Sequence, residues 1–420
     1  MSGGTELTAA GRKDPDHWLT HRIWGYPIFL AFLFIMFQTT FVVGSIPMEW
    51  IESGVTSLGS LAGSLIPAGS LRDLITDGII AGVGGVIVFL PNILILFFFI
   101  SLMEDTGYMA RVSFIMDKLM HRIGLHGKSF IPLLMGFGCN VPAIMATRTL
   151  ENRKDRIMTM LIAPFMSCSA RLPVYVLIIS AFFDKRQGLV LFSVYLTGII
   201  LAVLVALILK KTIFKGKDVP FVMELPPYRI PSMRNTIKHM WFNARQYLHK
   251  MGSIILVASV IIWALSYFPR MEEGTRVERL ENSWIGRAGH LIEPVVQPLG
   301  YDWKLGVSIV TGLAAKEVVV STMGVLYQGD GTGETGTAGL SERLREQEHT
   351  SGRLSGEKVF TPWVAFGFML FVLIYFPCVA VIAAIRKEST TRWALFSMFY
   401  STALAWLVAF LVNQAGKLLF

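Results

Sequence analysis

The chain has 420 residues, of which 53% are hydrophobic and only 16% are charged, against roughly 25% charged in soluble domains. Several apolar runs exceed the roughly 20 residues needed to cross a bilayer, which excludes a soluble protein and predicts a polytopic membrane protein. The formal net charge of +9 lies in loops without interleaved aromatic residues, so nucleic-acid binding is not expected.

The apolar runs predict a series of membrane spans. In chain order these are Trp24–Ile46, Ile79–Leu102, Ile157–Phe183, Gly188–Leu209, Met251–Phe268, Pro362–Ile385 and Trp393–Val412. The first run follows a polar leader and lacks an A-x-A site, so no cleaved signal peptide is expected. Lysine and arginine cluster in the segments that positive-inside bias assigns to the cytoplasm, which are 12–22, 111–128, 148–156, 210–250 and 386–392.

Two more apolar segments are predicted to be re-entrant hairpins. Ser129–Thr147 has basic residues on both sides, so we expect it to enter and leave from the cytoplasm. Asp302–Tyr327 lies between two outside loops, so we expect it to enter from the outer face. The path then has about seven crossings and an outside C-terminus, whereas a full crossing by Asp302–Tyr327 would invert the last two helices.

The order of span, hairpin, broken span and span occurs twice, from opposite sides of the membrane. This predicts an all-α polytopic fold with an inverted repeat, two re-entrant hairpins and proline-broken helices, which is a transporter architecture. The predicted units are residues 1–22 as a cytoplasmic leader, 23–78 as the first transmembrane helix and external loop, 79–209 as the first gate repeat, 210–249 as a basic cytoplasmic linker, and 250–420 as the second gate repeat with a flexible external loop at 328–360.

The predicted breaks carry all three cysteines of the chain: Cys139, Cys168 and Cys378. An odd number of thiols within a membrane does not predict disulfides. A buried cysteine often packs as a small hydrophobe, and that alternative stays open for each of them. Thiols also suit softer or borderline transition metals, so we predict a metal pathway in which Asn140 adds an amide oxygen and Met166 a thioether.

Ionisable groups at membrane depth form the second set of candidates: Glu104, Asp105, Arg171, Lys316 and Glu317. Such groups are costly in lipid and mark a pathway or a paired structural site. Our hypothesis is that Glu317 faces the cation site opposite Asn140, while Lys316 or Arg171 fixes structure by pairing. Glu104 and Asp105 end a predicted span, and a position at the cytoplasmic interface near Arg111 is their alternative role.

Several motifs, in order along the chain, resemble the ferrous iron transport protein B family: Glu104–Arg111, Gly136–Arg153, Ala163–Pro173, Gly312–Val320 and Phe376–Ala380. The resemblance implies a multi-pass Fe²⁺ uptake permease of a bacterial or archaeal cytoplasmic membrane, with gate-type helices similar to those of nucleoside-recognition proteins. It also implies that Cys139, Cys168 and Cys378 are the metal-pathway thiols. Fe²⁺ would be the transported substrate without a permanently bound cofactor, and Mn²⁺, Zn²⁺ and Co²⁺ stay open as cargo.

One departure from that family concerns GTP. The family normally begins with a cytoplasmic GTP-binding domain, whereas about 22 polar residues precede the first span here. Gly127-Lys128-Ser129 supplies the end of a phosphate-binding G-x-x-x-x-G-K-[ST] motif, but position 122 is arginine. We expect a separate soluble GTPase on basic loops such as Lys210–Lys250, with passive or ion-coupled transport as the alternative. The other expected partners are lipids and small accessory iron-transport proteins, and a homo-oligomer is a further candidate.

Two other functions remain as alternatives. The same architecture would serve a nucleoside or other solute transporter, but the breaks offer thiols rather than several hydrogen-bonding and aromatic side chains. A non-transporting gate-type scaffold is the second, and the retention of every matched cysteine and charge argues against it. The sequence has no hydrolytic triad, C-x-x-C pair or cofactor fingerprint, so an enzyme is not expected.

Overall fold

Helices form the regular structure throughout the part of the chain that the computed structural model describes, which comprises residues 24–67, 69–80, 84, 87–88, 90–183, 186–214, 231–269, 276–313, 316–328, 337–347 and 358–419. The α-helices are α1 Gly25–Leu65, α2 Ser70–Asp73, α3 Leu90–Asp105, α4 Tyr108–Arg122, α5 Phe130–Met135, α6 Asn140–Ala146, α7 Arg153–Ile162, α8 Leu172–Phe182, α9 Gln187–Thr212, α10 Met233–Tyr267, α11 Arg276–Asn282, α12 Trp284–Val296, α13 Trp303–Thr311, α14 Val318–Gln328, α15 Thr337–Glu346, α16 Pro362–Ile374, α17 Val379–Glu388 and α18 Thr391–Leu419. The predicted all-α class is confirmed for this part of the chain.

Five helices among the described residues are long and apolar enough to cross a membrane: Pro27–Leu65, Arg153–Phe182, Gln187–Thr212, Pro362–Glu388 and Thr391–Leu418. A sixth crossing results if α3 and α4, which meet at 85°, form one bent span. These apolar helices are consistent with the prediction of a polytopic membrane protein. Of the remaining predicted spans, Ile79–Leu102 lies partly outside the described residues and Met251–Phe268 falls at the C-terminal end of α10.

The two broken spans form the interior and the unbroken spans surround them. The most apolar windows of Arg153–Phe182 and Pro362–Glu388 are both 72% buried, whereas those of Gln187–Thr212 and Thr391–Leu418 are 28% and 22% buried. α9 and α18 therefore expose large apolar side chains such as Phe192 and Phe399. A helix that is apolar on its exposed face is expected to lie against lipid.

α1 extends beyond the predicted span Trp24–Ile46. It continues through Pro47 to Leu65, so most of the predicted external loop is helical, and a π-helical turn at Leu74–Ile80 follows α2. The serines of this segment satisfy their hydroxyls inside the helix, since Ser57 Oγ donates to the Ser53 carbonyl at 2.7 Å. Polar residues bonded in this way do not end a helix.

Two pairs of short helices fold back on themselves. α5 packs against α6, and α13 packs against α14. The first pair closes at its base where Lys128 Nζ lies 3.2 Å from Glu151 Oε1. The second closes where the Tyr327 hydroxyl donates to Asp302 Oδ1 at 2.7 Å. Both ends of each predicted hairpin segment therefore lie together.

Each broken span has an extended interruption that ends at a cysteine. Between α7 and α8 the chain makes 3-10 turns at Ala163–Phe165 and Ser169–Arg171, with extended backbone at Met166 and Cys168. Between α16 and α17 the backbone is extended at Tyr375 and Cys378. Prolines in these stretches lack the N–H that would continue an α-helix. The predicted proline-broken helices are present.

The two halves of the chain exchange helix contacts. α6 of the first pair packs against α17 of the second broken span, and α14 of the second pair packs against α8 of the first broken span. These reciprocal contacts bring the interruptions of both halves into one interior region.

Two predicted loops contain helix, and those predictions are corrected. The predicted linker 210–249 is helical from Met233, and the predicted flexible loop 328–360 contains α15. α15 is stable because Leu340 and Leu344, one turn apart, are fully buried, and its Arg345 Nε donates to the Ala181 carbonyl. The leader 1–22, residues 215–230 of the linker, and residues 329–336 and 348–357 of the loop lie outside the described residues.

Candidate metal pathway at the helix breaks

The first hairpin breaks at Gly136–Cys139 because α5 ends at Met135 and α6 begins at Asn140. Cys139 is the extended N-cap of α6, with φ −150° and ψ 130°. The Gly138 carbonyl accepts both the Ser169 backbone N–H at 3.2 Å and the Ser169 hydroxyl at 3.1 Å. The hairpin break is thus bonded directly to the residue that follows Cys168.

Asn140 braces the first break from inside. Its side chain is buried, and its amide nitrogen donates to the Ala163 carbonyl at 3.0 Å and the Gly136 carbonyl at 3.3 Å. This orientation is assigned because the reverse would set the amide oxygen against two acceptors. A Cβ added at Gly136 would lie only 2.9 Å from the Cβ of Met166. Glycine at this position therefore allows the hairpin to approach the broken span closely. Asn140 therefore connects the hairpin to the broken span through its nitrogen.

Arg171 stabilises the break of the first span. Its guanidinium is fully buried, and Nη1 donates to the carbonyls of Pro164 at 3.0 Å and Met166 at 3.1 Å. These carbonyls have lost their helical partners because the chain is extended there. The predicted fixing role of Arg171 thus takes the form of bonds to backbone oxygens.

Lys316 holds the second break in a related way. Its buried Nζ donates to the Phe376 carbonyl at 2.8 Å and lies 3.1 Å from the centroid of the Tyr375 ring. The Val379 N–H also donates to the Leu313 carbonyl at 3.0 Å. The second hairpin is therefore bonded to the residue after Cys378, as the first is to the residue after Cys168.

The three thiols come into one neighbourhood. All are half-buried and none forms a disulfide. Cys139 interacts electrostatically with Cys168, Cys378 and Glu317, and the position of Glu317 opposite Asn140 stays a prediction. Among the described residues, no group of three or more His, Cys, Asp or Glu side chains is arranged to hold a metal ion. The thiols are gathered, and a role as metal ligands stays a prediction.

Glu104 and Asp105 lie at a different place. They end α3 as predicted, with Glu104 exposed, and Asp105 Oδ2 accepts from the Thr236 hydroxyl at 2.8 Å. Arg111 is buried nearby on α4 and donates to the Gly107 carbonyl at 2.8 Å. Asp105 thus connects α3 to α10.

A hydroxyl cluster beside Cys168 was not predicted. The Ser167 hydroxyl donates to the Tyr175 hydroxyl at 3.3 Å, and the Tyr175 ring packs edge-on against the Tyr195 ring with centroids 6.4 Å apart. The Tyr195 ring stacks on Phe137, with centroids 6.2 Å apart. The sequence signal that could have indicated this cluster is Tyr195, a polar aromatic residue within the apolar run of α9. The cluster places hydroxyl oxygens next to Cys168.

An ion-pair cluster joins the two halves at one end of the molecule. Glu388, at the end of α17, pairs with Arg148 and lies 3.2 Å from Arg156 Nη2. Arg156 Nη2 also donates to the Glu388 backbone carbonyl at 2.8 Å. The Glu388 side chain is only 4% exposed, so this pairing fixes α17 to the start of α7.

Comparison with known proteins agrees with this arrangement. The Gate family, described as nucleoside recognition, matches residues 86–182 and 248–392, and the family described as ferrous iron transport protein B C terminus matches residues 191–243. These ranges include both broken spans. No solved structure matches the chain.

Three relatives with matching sequences include Fe(2+) transporter FeoB in their names. The Fe(2+) transport protein A/Fe(2+) transporter FeoB fusion protein of Porphyromonas gingivalis is 56% identical over 96% of this chain and 51% of its own length. Fe(2+) transporter FeoB of Campylobacter jejuni is 46% identical over 97% of this chain and 66% of its own length, and that of Staphylococcus aureus is 44% identical over 96% and 59%. The chain therefore spans about half to two thirds of the length of these relatives.

The fold and the matched families define a Gate-domain membrane protein. Within that class, the chain belongs to the ferrous iron transport protein B family, and it corresponds to the membrane portion of its relatives.

Proposed function

We propose that the chain forms a thiol-lined pathway that carries Fe²⁺ across the cytoplasmic membrane. The observation that carries the proposal is the gathering of Cys139, Cys168 and Cys378 at the interruptions of buried helices. Interrupted helices at membrane depth are where transporters bind their cargo, and thiols favour borderline metals over alkali ions or Mg²⁺. The relatives are named as Fe(2+) transporters, which supports Fe²⁺ as the cargo among such metals.

We further propose that the two halves form an inverted repeat with two re-entrant hairpins. Three observations support it: the closed bases of both hairpins, the equivalent bonds from Ser169 and Val379 to the hairpin breaks, and the exchanged contacts of α6 with α17 and α14 with α8. An inverted repeat makes the pathway accessible in turn from each side.

The proposed source of energy lies outside the pathway itself. A GTPase unit beyond these residues would drive or regulate the gate, because no phosphate-binding loop of the required pattern occurs in the chain. The basic end of the molecule that carries Arg148 is the proposed docking face. Rapid Fe²⁺ flux through proteoliposomes that contain the chain alone would contradict the need for a GTPase.

An accessory protein of the Fe(2+) transport protein A type is a second proposed partner, since one relative is named as a fusion with it.

The pathway is tested by initial Fe²⁺ and Mn²⁺ uptake into anaerobic proteoliposomes for each Cys→Ser variant, with and without a candidate GTPase. We expect each substitution to slow Fe²⁺ uptake on the order of tenfold, comparable to the loss of a partner of a metal ligand. Because a hydroxyl is a harder ligand than a thiol, Mn²⁺ uptake should fall less. Ser180→Ala, at the far end of α8, is the matched control. Unchanged Fe²⁺ uptake in all three cysteine variants would refute the thiol pathway.

A further inference from the structure

Two backbone carbonyls occupy equivalent places in the two halves, and each is bound by a buried cation. Met166 and Phe376 each stand two residues before the cysteine that ends a break. The Met166 carbonyl accepts from Arg171 Nη1 at 3.1 Å, and the Phe376 carbonyl accepts from Lys316 Nζ at 2.8 Å. Arg171 is 1% exposed and Lys316 is 2% exposed, so both charges are held away from water.

The two cations differ in how firmly they are held. Arg171 lies in the same stretch of chain as its acceptors and binds two carbonyls, those of Pro164 and Met166. Its planar guanidinium is suited to fixed multiple bonds. Lys316 comes from the hairpin, 60 residues away from Phe376, whose carbonyl it binds, and a lysine ammonium is a point charge on a flexible stem.

The place that Lys316 Nζ occupies has the chemistry of a cation site. Unwound carbonyls in broken transporter helices coordinate cations, and the Phe376 carbonyl is of that kind. The Tyr375 ring face, 3.1 Å from Nζ, also attracts positive charge. Arg171, Cys378, Cys168 and Glu317 all interact electrostatically with Lys316, so a second buried cation and the predicted metal ligands act on the same ammonium group.

We propose that Lys316 is a tethered cation that fills the carbonyl site of the second break when the pathway is empty, and that a divalent metal ion displaces it. Arg171 is the fixed counterpart that keeps the first break in shape. The inference rests on the proposed function, because it assigns the metal ion a second set of ligands beside the thiols. It makes Lys316 a positioning residue that opposes metal binding at rest and keeps the site closed to stray cations.

Binding of Fe²⁺ to the purified full chain in detergent, measured by anaerobic titration calorimetry, tests the displacement separately from transport. Lys316→Met removes the competing charge at nearly constant length, and Lys316→Gln keeps an N–H donor for the Phe376 carbonyl. Both should bind Fe²⁺ at least about tenfold more tightly than wild type, because the competing like charge is gone. Lys316→Arg should bind no more tightly than wild type. Lys304→Met is the matched control, since Lys304 Nζ lies 5.2 Å from the Tyr327 ring at the base of the same hairpin, and its affinity should stay within about twofold.

The outcomes separate the two proposals. Equal or weaker binding by a monodisperse Lys316→Met or Lys316→Gln protein overturns the tethered cation, and Lys316→Gln alone decides if the methionine variant does not fold. Tighter binding without any Fe²⁺ uptake in proteoliposomes that also contain the candidate GTPase supports the tethered cation and contradicts transport. The absence of Fe²⁺ binding in wild type and every variant overturns both.

Discussion

At the scale of single residues, the breaks are held by side chains that bind backbone oxygens. Asn140, Arg171 and Lys316 each donate to backbone carbonyls at the breaks, where the regular helical bonds are interrupted. An unpaired carbonyl away from water costs several kcal/mol in a membrane. These three side chains therefore make an interrupted helix stable at a depth where lipid would otherwise enforce a continuous one.

Asn140→Ala should destabilise the protein by about 1–3 kcal/mol, because it leaves the Gly136 carbonyl without this donor and the Ala163 carbonyl with only the Met166 N–H at 3.0 Å. A lower thermal unfolding temperature in detergent is the measurement. Asn282→Ala is the control, since Asn282 Nδ2 makes one exposed bond to the Glu278 carbonyl at 3.0 Å and its loss should cost less than about 0.5 kcal/mol. Equal unfolding temperatures for the two variants would contradict the bracing role.

The sequence indicated candidate side chains for the site, but it did not indicate which backbone carbonyls those side chains bind. Gly136, Gly138 and Pro142 in an apolar run indicate a break, and thiols beside breaks indicate a ligand set. By contrast, every residue has a backbone carbonyl, so residue types do not reveal which carbonyls bind a side chain. The bonds of the Met166 and Phe376 carbonyls to Arg171 and Lys316 could therefore not be predicted from the sequence. The sequence predicts which cations are costly, and only the structure shows what they bind.

At the scale of elements, close packing of α9 depends on one missing side chain. A Cβ added at Gly198 would lie 2.7 Å from the Phe165 carbonyl oxygen and 3.3 Å from Leu373 Cδ2. α9 therefore touches the first broken span and α16 at this glycine. Gly188, near the start of the same helix, has nothing within 4 Å of an added Cβ.

Gly198→Ala should cost about 1–3 kcal/mol, because the rigid backbone oxygen cannot move away from the added methyl group. Gly188→Ala is the matched substitution on the same helix and should be neutral or stabilising by up to about 1 kcal/mol. Thermal unfolding of both variants in detergent measures the difference. If Gly198→Ala unfolds at or above the temperature of Gly188→Ala, α9 does not approach the break as closely as described.

Elements interrupted by proline and glycine were predicted well, and elements rich in small polar residues were not. The breaks in both spans and the fold-back pairs follow from backbone chemistry that the sequence displays. The segment after Ile46 was predicted to be an external loop from its excess of carboxylates, and the segment that contains α15 from its glycine, threonine, serine and charged residues. Internal serine hydroxyl bonds in α1, and buried Leu340 and Leu344 in α15, outweighed that local tendency.

At the scale of the whole molecule, one end gathers the positive charge. Arg148, Arg156 and Arg386 lie near the end of α17 and the base of the first hairpin, which the positive-inside rule assigns to the cytoplasm. α18 has 29 residues and at 1.5 Å per residue is about 44 Å long, enough to cross the membrane. Lys417, at its far end, is therefore predicted to lie outside.

This orientation predicts the labelling of two single-cysteine proteins made after all three native cysteines are replaced by serine. Lys417→Cys should react with an impermeant maleimide added to intact cells, whereas Arg386→Cys should react only after permeabilisation. Both positions are exposed, so each site is the other's control for reagent access. The reverse pattern would invert the proposed path, and labelling of both sites from outside would rule out a crossing by α18.

The pairing of Glu388 has a mechanical consequence. α17 begins directly after Cys378 and ends at Glu388, and its ten residues make a rod about 15 Å long. One end is clasped by Arg148 and Arg156 at the aqueous surface, and the other end carries a thiol of the proposed pathway. A bound protein that displaces those arginines would therefore also move Cys378, because α17 connects the two. No group of that protein would need to enter the membrane.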